Sequence, residues 1–200
     1  VRTALVLVGG EAKRAEGREK YFFSLGGRTF LERLLEVLKP LVEEILIVGK
    51  DTSQCEKFVH LDTVRCVADI QPGGGPVGGL RTGVLHAQGD LLFVVACDMP
   101  CIQASVVERL FSLLNGYDAV VPCWDPERLE PLHAVYRRNA LERYFGEESS
   151  PSLRGVVRRL HTRYLPVRDL VDLDPQLVTF ININRLEELE AMKGGGMYEG

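Results

Sequence analysis

Two adjacent glycines, the cations that follow them and an aspartate far downstream are the residues whose types and spacing suit chemistry on a phosphate. Thr3-Ala-Leu-Val-Leu-Val8 is almost wholly aliphatic, as a parallel strand buried on both faces must be. Gly9 and Gly10 then allow a tight bend and close backbone approach to a ligand. Lys13, Arg14, Arg18 and Lys20 follow at once, able to neutralise phosphate charge while loop N–H groups bond phosphate oxygens. The combination reads as a nucleotide polyphosphate site; the plainer reading is a strand-to-loop turn with a solvated basic surface. Neither the Walker pattern nor the Gly-x-Gly-x-x-Gly dinucleotide fingerprint is present in this loop.

Ligands of open α/β sheets bind beyond the carboxyl ends of the strands, and that rule sorts the remaining candidates. Asp98, in Val94-Val-Ala-Cys-Asp-Met-Pro100, follows a fully apolar strand and is placed to hold Mg²⁺ beside phosphates; its alternative is a turn or helix cap before Pro100. Asp69 precedes Ile70-Gln-Pro-Gly-Gly-Gly-Pro-Val-Gly-Gly79, whose N–H groups could meet a base, ribose or phosphate, or which could be a simple strand-to-helix connection. Asn182 and Asn184 in Phe180-Ile-Asn-Ile-Asn184 would share one face of a strand and could serve a metal or a polar substrate, or merely end the strand and cap a helix. Arg154 and Arg158 lie one helical turn apart, with Arg159 beside them, as an anion site or a solvated face. His133 has no serine or cysteine nucleophile beside it in sequence and reads as structural.

Elements that position these residues alternate along the chain, predicting a mostly parallel sheet covered by helices. Strands are expected at 3–8, 45–48, 64–68, 91–96, 119–121, 132–136, 164–167 and 179–183. Helices are expected at 29–41, with Thr29 and Glu32 as a capping box, and at 78–87, 106–114, 152–160 and 185–192, with one more running through Tyr144. Residues 1–193 are read as one domain and 194–200, rich in glycine, as a mobile tail. A net charge of −4 on 200 residues argues against a general nucleic-acid-binding surface. No apolar run is long enough to span a bilayer and no leader pattern is present, which predicts a cytoplasmic protein. Cys55, Cys66, Cys97, Cys101 and Cys123 are odd in number without Cys-x-x-Cys spacing, and are read as reduced packing residues.

Leu7-Val-Gly-Gly10, Lys20, Asp69, Gly75-Pro-Val-Gly-Gly79, Cys97-Asp-Met-Pro100, Glu130-Pro-Leu132 and Phe180-Ile-Asn-Ile-Asn184 together resemble the nucleotidyltransferase family containing molybdenum cofactor guanylyltransferase. The resemblance covers most of the chain. It implies a Rossmann-like three-layer α/β fold and transfer of GMP from GTP to the terminal phosphate of molybdopterin, with Mg²⁺ as cofactor and release of pyrophosphate. It also implies that Leu7, Val8, Gly9, Gly10, Lys20, Asp69, Gly75 and Asp98 serve the nucleotide. Lys20 and Asp98 are the catalytic candidates, and Asp98 is the metal ligand. Arg14, Arg154, Arg158, Asn182 and Asn184 are the acceptor candidates, and cofactor-delivery or recipient apoenzymes are possible protein partners. Three departures stand out: Val8 where the family favours alanine, Ala15-Glu16-Gly17 in place of a Met-Gly-rich segment, and Gly49 where relatives often carry a nucleoside-binding asparagine. Alternatives are a relative using CTP or another phosphorylated acceptor, and a nucleotide-binding regulator without turnover.

Overall fold

The computed structural model describes residues 1–8, 19–147 and 151–183, together with 188, 190 and 191, and of Lys20 the backbone alone. Gly9, Gly10, Lys13, Arg14, Arg18, the Ala15–Gly17 segment, Asn184 and the 194–200 tail lie outside the described residues.

The chain begins with strand β1 (Arg2–Leu7) and, after a tight hairpin of β2 (Ser24–Leu25) and β3 (Arg28–Thr29), enters helix α1 (Phe30–Leu38). The hairpin turns on Gly26 and Gly27, both at positive φ, a conformation that costs glycine little. Strand β4 (Glu44–Gly49), helix α2 (Thr52–Glu56) and strand β5 (Val64–Ala68) follow. Helix α3 (Gly75–His86), strand β6 (Leu91–Ala96) and helix α4 (Ala104–Ser112) come next. The last third contains β7 (Ala119–Cys123), β8 (His133–Arg137), α5 (Arg138–Glu147), α6 (Leu153–Arg159) and β9 (Thr162–Pro166).

Seven strands form one sheet in the order β5-β4-β1-β6-β8-β7-β9. Only β8 runs against its neighbours, so β7 and β9 point the same way as β6, β1, β4 and β5. Strand β1 shows why the sheet is covered on both sides. Ala4, Val6 and Val8 face a cluster with Leu31, Leu34 and Leu38 of α1 and Val106 and Leu110 of α4. Leu5 and Leu7 face the opposite cluster, with Leu80 and Val84 of α3, Leu141 of α5 and Val156 of α6. The result is the three-layer, mostly parallel α/β fold expected from the sequence.

The capping box forms as read: the Glu32 amide donates to Thr29 Oγ1 at 3.1 Å, and the Thr29 amide to the Glu32 carboxylate at 2.8 Å. Helix α3 begins three residues before the expected start because Pro76 suits a first helical turn, where its missing N–H is not needed. Residues 179–183 are not a strand. The 3₁₀ turn Val178–Phe180 takes their place, entered through Leu177 in the left-handed region, with the Thr179 amide donating to Asp174 Oδ2 at 2.9 Å. That side-chain cap outweighs the β-propensity of a short β-branched run. The expected last helix is described only at 188, 190 and 191, which are helical.

The cysteine reading also needs correction. Cys55 of α2 and Cys66 of β5 are joined as a disulfide, with Cα atoms 5.5 Å apart, because α2 packs directly against the edge strand. Cys97 and Cys101 are buried packing residues as expected, and Cys123 is half-buried. No helix among the described residues is long and apolar enough to cross a membrane.

Candidate functional site

Backbone hydrogen bonds tie the ends of the parallel strands into one row. The Val8 amide donates to Val48 O at 3.1 Å, and the Cys97 amide to Leu7 O at 3.2 Å. The Asp69 amide donates to Gly49 O at 2.8 Å. Asp69, Gly49, Val8 and Asp98 therefore follow the sheet order at the same edge. At about 4.8 Å per strand, Asp69 and Asp98 stand roughly 14 Å apart along it, a span suited to an extended nucleotide. Leu7 and Val8 are themselves buried in the two cores, so anything they offer a ligand comes from the main chain.

Asp69 organises the glycine loop. Its Oδ1 accepts from Thr82 Oγ1 at 2.7 Å and from the Gln71 amide at 3.0 Å, while Thr82 Oγ1 accepts from the Ile70 amide at 3.2 Å. Gly78 lies against the same carboxylate, where an added Cβ would stand 3.4 Å from Oδ2. Gly75, with φ of +60°, opens α3 with nothing within 4 Å of where a Cβ would be. The loop thus presents main chain at the open edge, and Asp69 holds its shape.

Asp98 follows β6, the middle strand of the sheet, and two other segments converge on it. The Ile183 amide donates to Asp98 O at 2.9 Å, which straps the Phe180–Ile183 segment to the end of β6 and leaves Asn182 exposed beside it. The Ala96 amide donates to Leu132 O at 3.2 Å, bringing the start of β8 alongside. Glu130 follows from that connection. Burial pushes its carboxyl above the ordinary range, and the charge of Asp98 adds to the rise, against a Trp124 indole N–H donated to Oε1 at 2.8 Å. Two oxygen-only carboxylates whose charges oppose each other are a donor set that fits a hard divalent cation such as Mg²⁺, which keeps waters and needs one or two protein carboxylates. No group of three or more candidate ligands occurs among the described residues. Glu130 was quoted in the sequence only as part of a motif; its spatial approach to Asp98, created by the antiparallel entry of β8, has no local sequence signal.

The other candidates divide. Lys20 begins the 3₁₀ turn Lys20–Phe22, whose Tyr21 is buried against Phe58, with ring centroids 5.0 Å apart. Just before it, Glu19 accepts from Lys57 Nζ at 2.7 Å, from Gln54 Nε2 at 3.1 Å and from the Tyr21 hydroxyl. Burial raises the Glu19 carboxyl, but those hydrogen bonds together hold it below its ordinary range. Arg154 and Arg158 lie on α6, away from the glycine loop, and both reach Glu127, at 2.8 and 3.4 Å. His133 is wholly buried, edge-on to Phe93 and Phe180, with Nε2 3.3 Å from Thr179 Oγ1, which makes it structural. Gly49 has a local reason: a Cβ there would meet Cys55 Sγ at 3.0 Å and Gln54 Oε1 at 3.3 Å. An asparagine there would require Cys55 and Gln54 to shift by a few tenths of an ångström.

A helix-flanked, mostly parallel sheet with glycine-bearing ends and a central acid is the Rossmann-like fold of nucleotidyltransferases. Residues 4–164 match the MobA-like NTP transferase domain family, and the chain belongs to it. It is 37% identical over 203 residues to a probable molybdenum cofactor guanylyltransferase of Methanosarcina acetivorans, covering 96% of this chain and 90% of that one. A molybdenum cofactor guanylyltransferase of Desulfosudis oleivorans is 30% identical, with 96% of each chain covered. Among solved structures, molybdopterin-guanine dinucleotide biosynthesis protein A of Archaeoglobus fulgidus superposes with a TM-score of 0.79 at 30% identity, over 96% of this chain and 97% of that one.

Proposed function

We propose that the protein transfers GMP from GTP to the terminal phosphate of molybdopterin and releases pyrophosphate, with Mg²⁺ bound at Asp98. One observation carries the reading: Asp98 divides the sheet edge between a glycine-loop half, ending at Asp69, and an arginine- and aromatic-bearing half formed by β7, β9 and α6. A nucleotide and an acceptor bound on the two halves would meet at Asp98. The names of the relatives supply the particular pair, GTP and molybdopterin.

An oxygen of the acceptor phosphate attacks the α-phosphorus of GTP, and the bond from that phosphorus to the bridging oxygen breaks as pyrophosphate departs. The attacking phosphate is already anionic, so the protein needs no nucleophile of its own. Its work is positioning and charge stabilisation. Magnesium, when bound, supplies neutralisation of charge on the triphosphate. Asp98 would hold the ion, with Glu130 as the second carboxylate available to it. Main-chain groups of the glycine loop braced by Asp69 position the nucleoside, while Lys20 and the N–H groups after Val8 stabilise the departing charge. Arg154 and Arg158 receive the anionic acceptor once Glu127 yields them.

The test is pyrophosphate release from each of the four nucleoside triphosphates, with molybdopterin and Mg²⁺. The reading predicts turnover with GTP well above the other three. Preference for CTP, or release with none of them, would overturn it.

A further inference from the structure

The acceptor half of the edge contains a groove of which the roles above use only Arg158. A cavity of about 670 Å³ opens where β7 and β9 end, lined by Trp124, Pro126, Leu129, Tyr164, Arg158 and Arg168 among others. Its volume suits a small molecule. Trp124 and Tyr164 remain 42% and 45% exposed, although each could bury more than 150 Å² in a core.

Trp124 is held in place. Its indole N–H is committed to Glu130 Oε1 at 2.8 Å, and its ring meets Phe180 nearly edge-on, with centroids 6.0 Å apart. Phe180 in turn packs on the buried His133, with centroids 4.9 Å apart. The ring also borders a second cavity of about 520 Å³, lined by Glu130 and Arg154, so the indole stands as a wall between the two. A fixed indole with its polar atom already satisfied offers a ligand only its π surface. Arg158, which reaches Glu127 at 3.4 Å, and Arg168, 3.9 Å from Asp169, bring exposed guanidinium groups to the rim that an anionic ligand would have to draw from those carboxylates, while Asp125 is engaged by Arg128 at 2.6 Å. With β8 between them, β7 and β6 are about 10 Å apart. That distance lets a ring on Trp124 carry a phosphate arm back to Asp98.

We propose that this groove binds the planar heteroaromatic part of the phosphorylated acceptor, stacked on Trp124 and rimmed by Arg158 and Arg168. The assignment of the occupant rests on the function proposed above. It predicts that ring recognition and phosphate transfer are separable, through Trp124 on one side of Glu130 and Asp98 on the other.

Trp124 is the single tryptophan of the chain, so its emission reports the groove directly. Molybdopterin titrated into the 200-residue chain, without nucleotide and with absorbance corrected for, should quench that emission saturably. Tyr164→Ala or Arg158→Gln should raise the midpoint several-fold. In turnover assays Trp124→Ala should raise KM for molybdopterin about tenfold, well beyond any change in KM for GTP, and Trp124→Phe, which restores a stacking ring but not the N–H, should largely rescue it. Normal pyrophosphate release with unaltered emission, or an unchanged KM in Trp124→Ala, would sink the groove and leave the transferase reading intact. No release by the wild-type protein would sink the transferase reading; saturable quenching would still uphold the groove, and its absence would sink that too.

Discussion

His133 shows how one buried side chain sets a pH limit. It is wholly buried, and loss of hydration lowers its pKa from 6.5 to about 3. Below pH 6.5 the unfolded chain takes up a proton at this residue while the folded one does not, so stability falls as pH drops through the interval from 6.5 towards 3. At pH 5 the folded ring is still neutral, and the loss relative to pH 7 is about 2 kcal/mol from this residue alone. Urea denaturation of wild type and His133→Gln at both pH values checks it: the variant should lose less stability on acidification by about that amount. Equal losses would contradict the burial argument. Glu130 is the opposite case, a carboxyl raised by burial and by the charge of Asp98.

At the scale of elements, the disulfide ties α2 to the edge strand β5 across a sequence separation of 11 residues. Closing a loop of that length stabilises a fold by about 2–3 kcal/mol. Reduction, or Cys66→Ser, should lower the unfolding free energy by that amount in urea denaturation, and an unchanged midpoint would contradict a structural role. Helix α3 depends on a different device. Gly79 and Gly83 face Leu7 and Leu5, and a Cβ on Gly83 would come within 2.8 Å of Leu5 Cδ1, so the glycines bring the helix close to β1. The periodic segments were legible in advance for physical reasons. β6 coincides with its expected span because an uninterrupted apolar run leaves a buried strand few alternatives. The Thr29 box marked the start of α1 through local hydrogen bonding alone. What sequence could not supply was spatial pairing. Cys55 with Cys66, Glu130 with Asp98, and Trp124 with Glu130 each join residues brought together by topology, and the 179–183 turn was decided by a cap from Asp174.

Across the whole molecule, one sheet edge organises everything assigned to function. Asp69 and its glycine loop, Gly49, Val8, Asp98, Glu130 and Trp124 follow the strand order from β5 to β7. Reversal of β8 matters here, because its N-terminal end brings Glu130 to the same edge where its neighbours end. On one side of Asp98 the edge is main chain braced by carboxylate and hydroxyl, and on the other it carries aromatic rings and arginines. The proposed function makes Asp98 the residue on which a nucleotide and an acceptor, bound on those two sides, would both depend. The most direct measurement is Mg²⁺-dependent pyrophosphate release from GTP and molybdopterin by Asp98→Asn, alongside its thermal unfolding. Release should fall by at least about 100-fold with the unfolding transition preserved. Near-normal turnover in a folded Asp98→Asn protein would contradict the account.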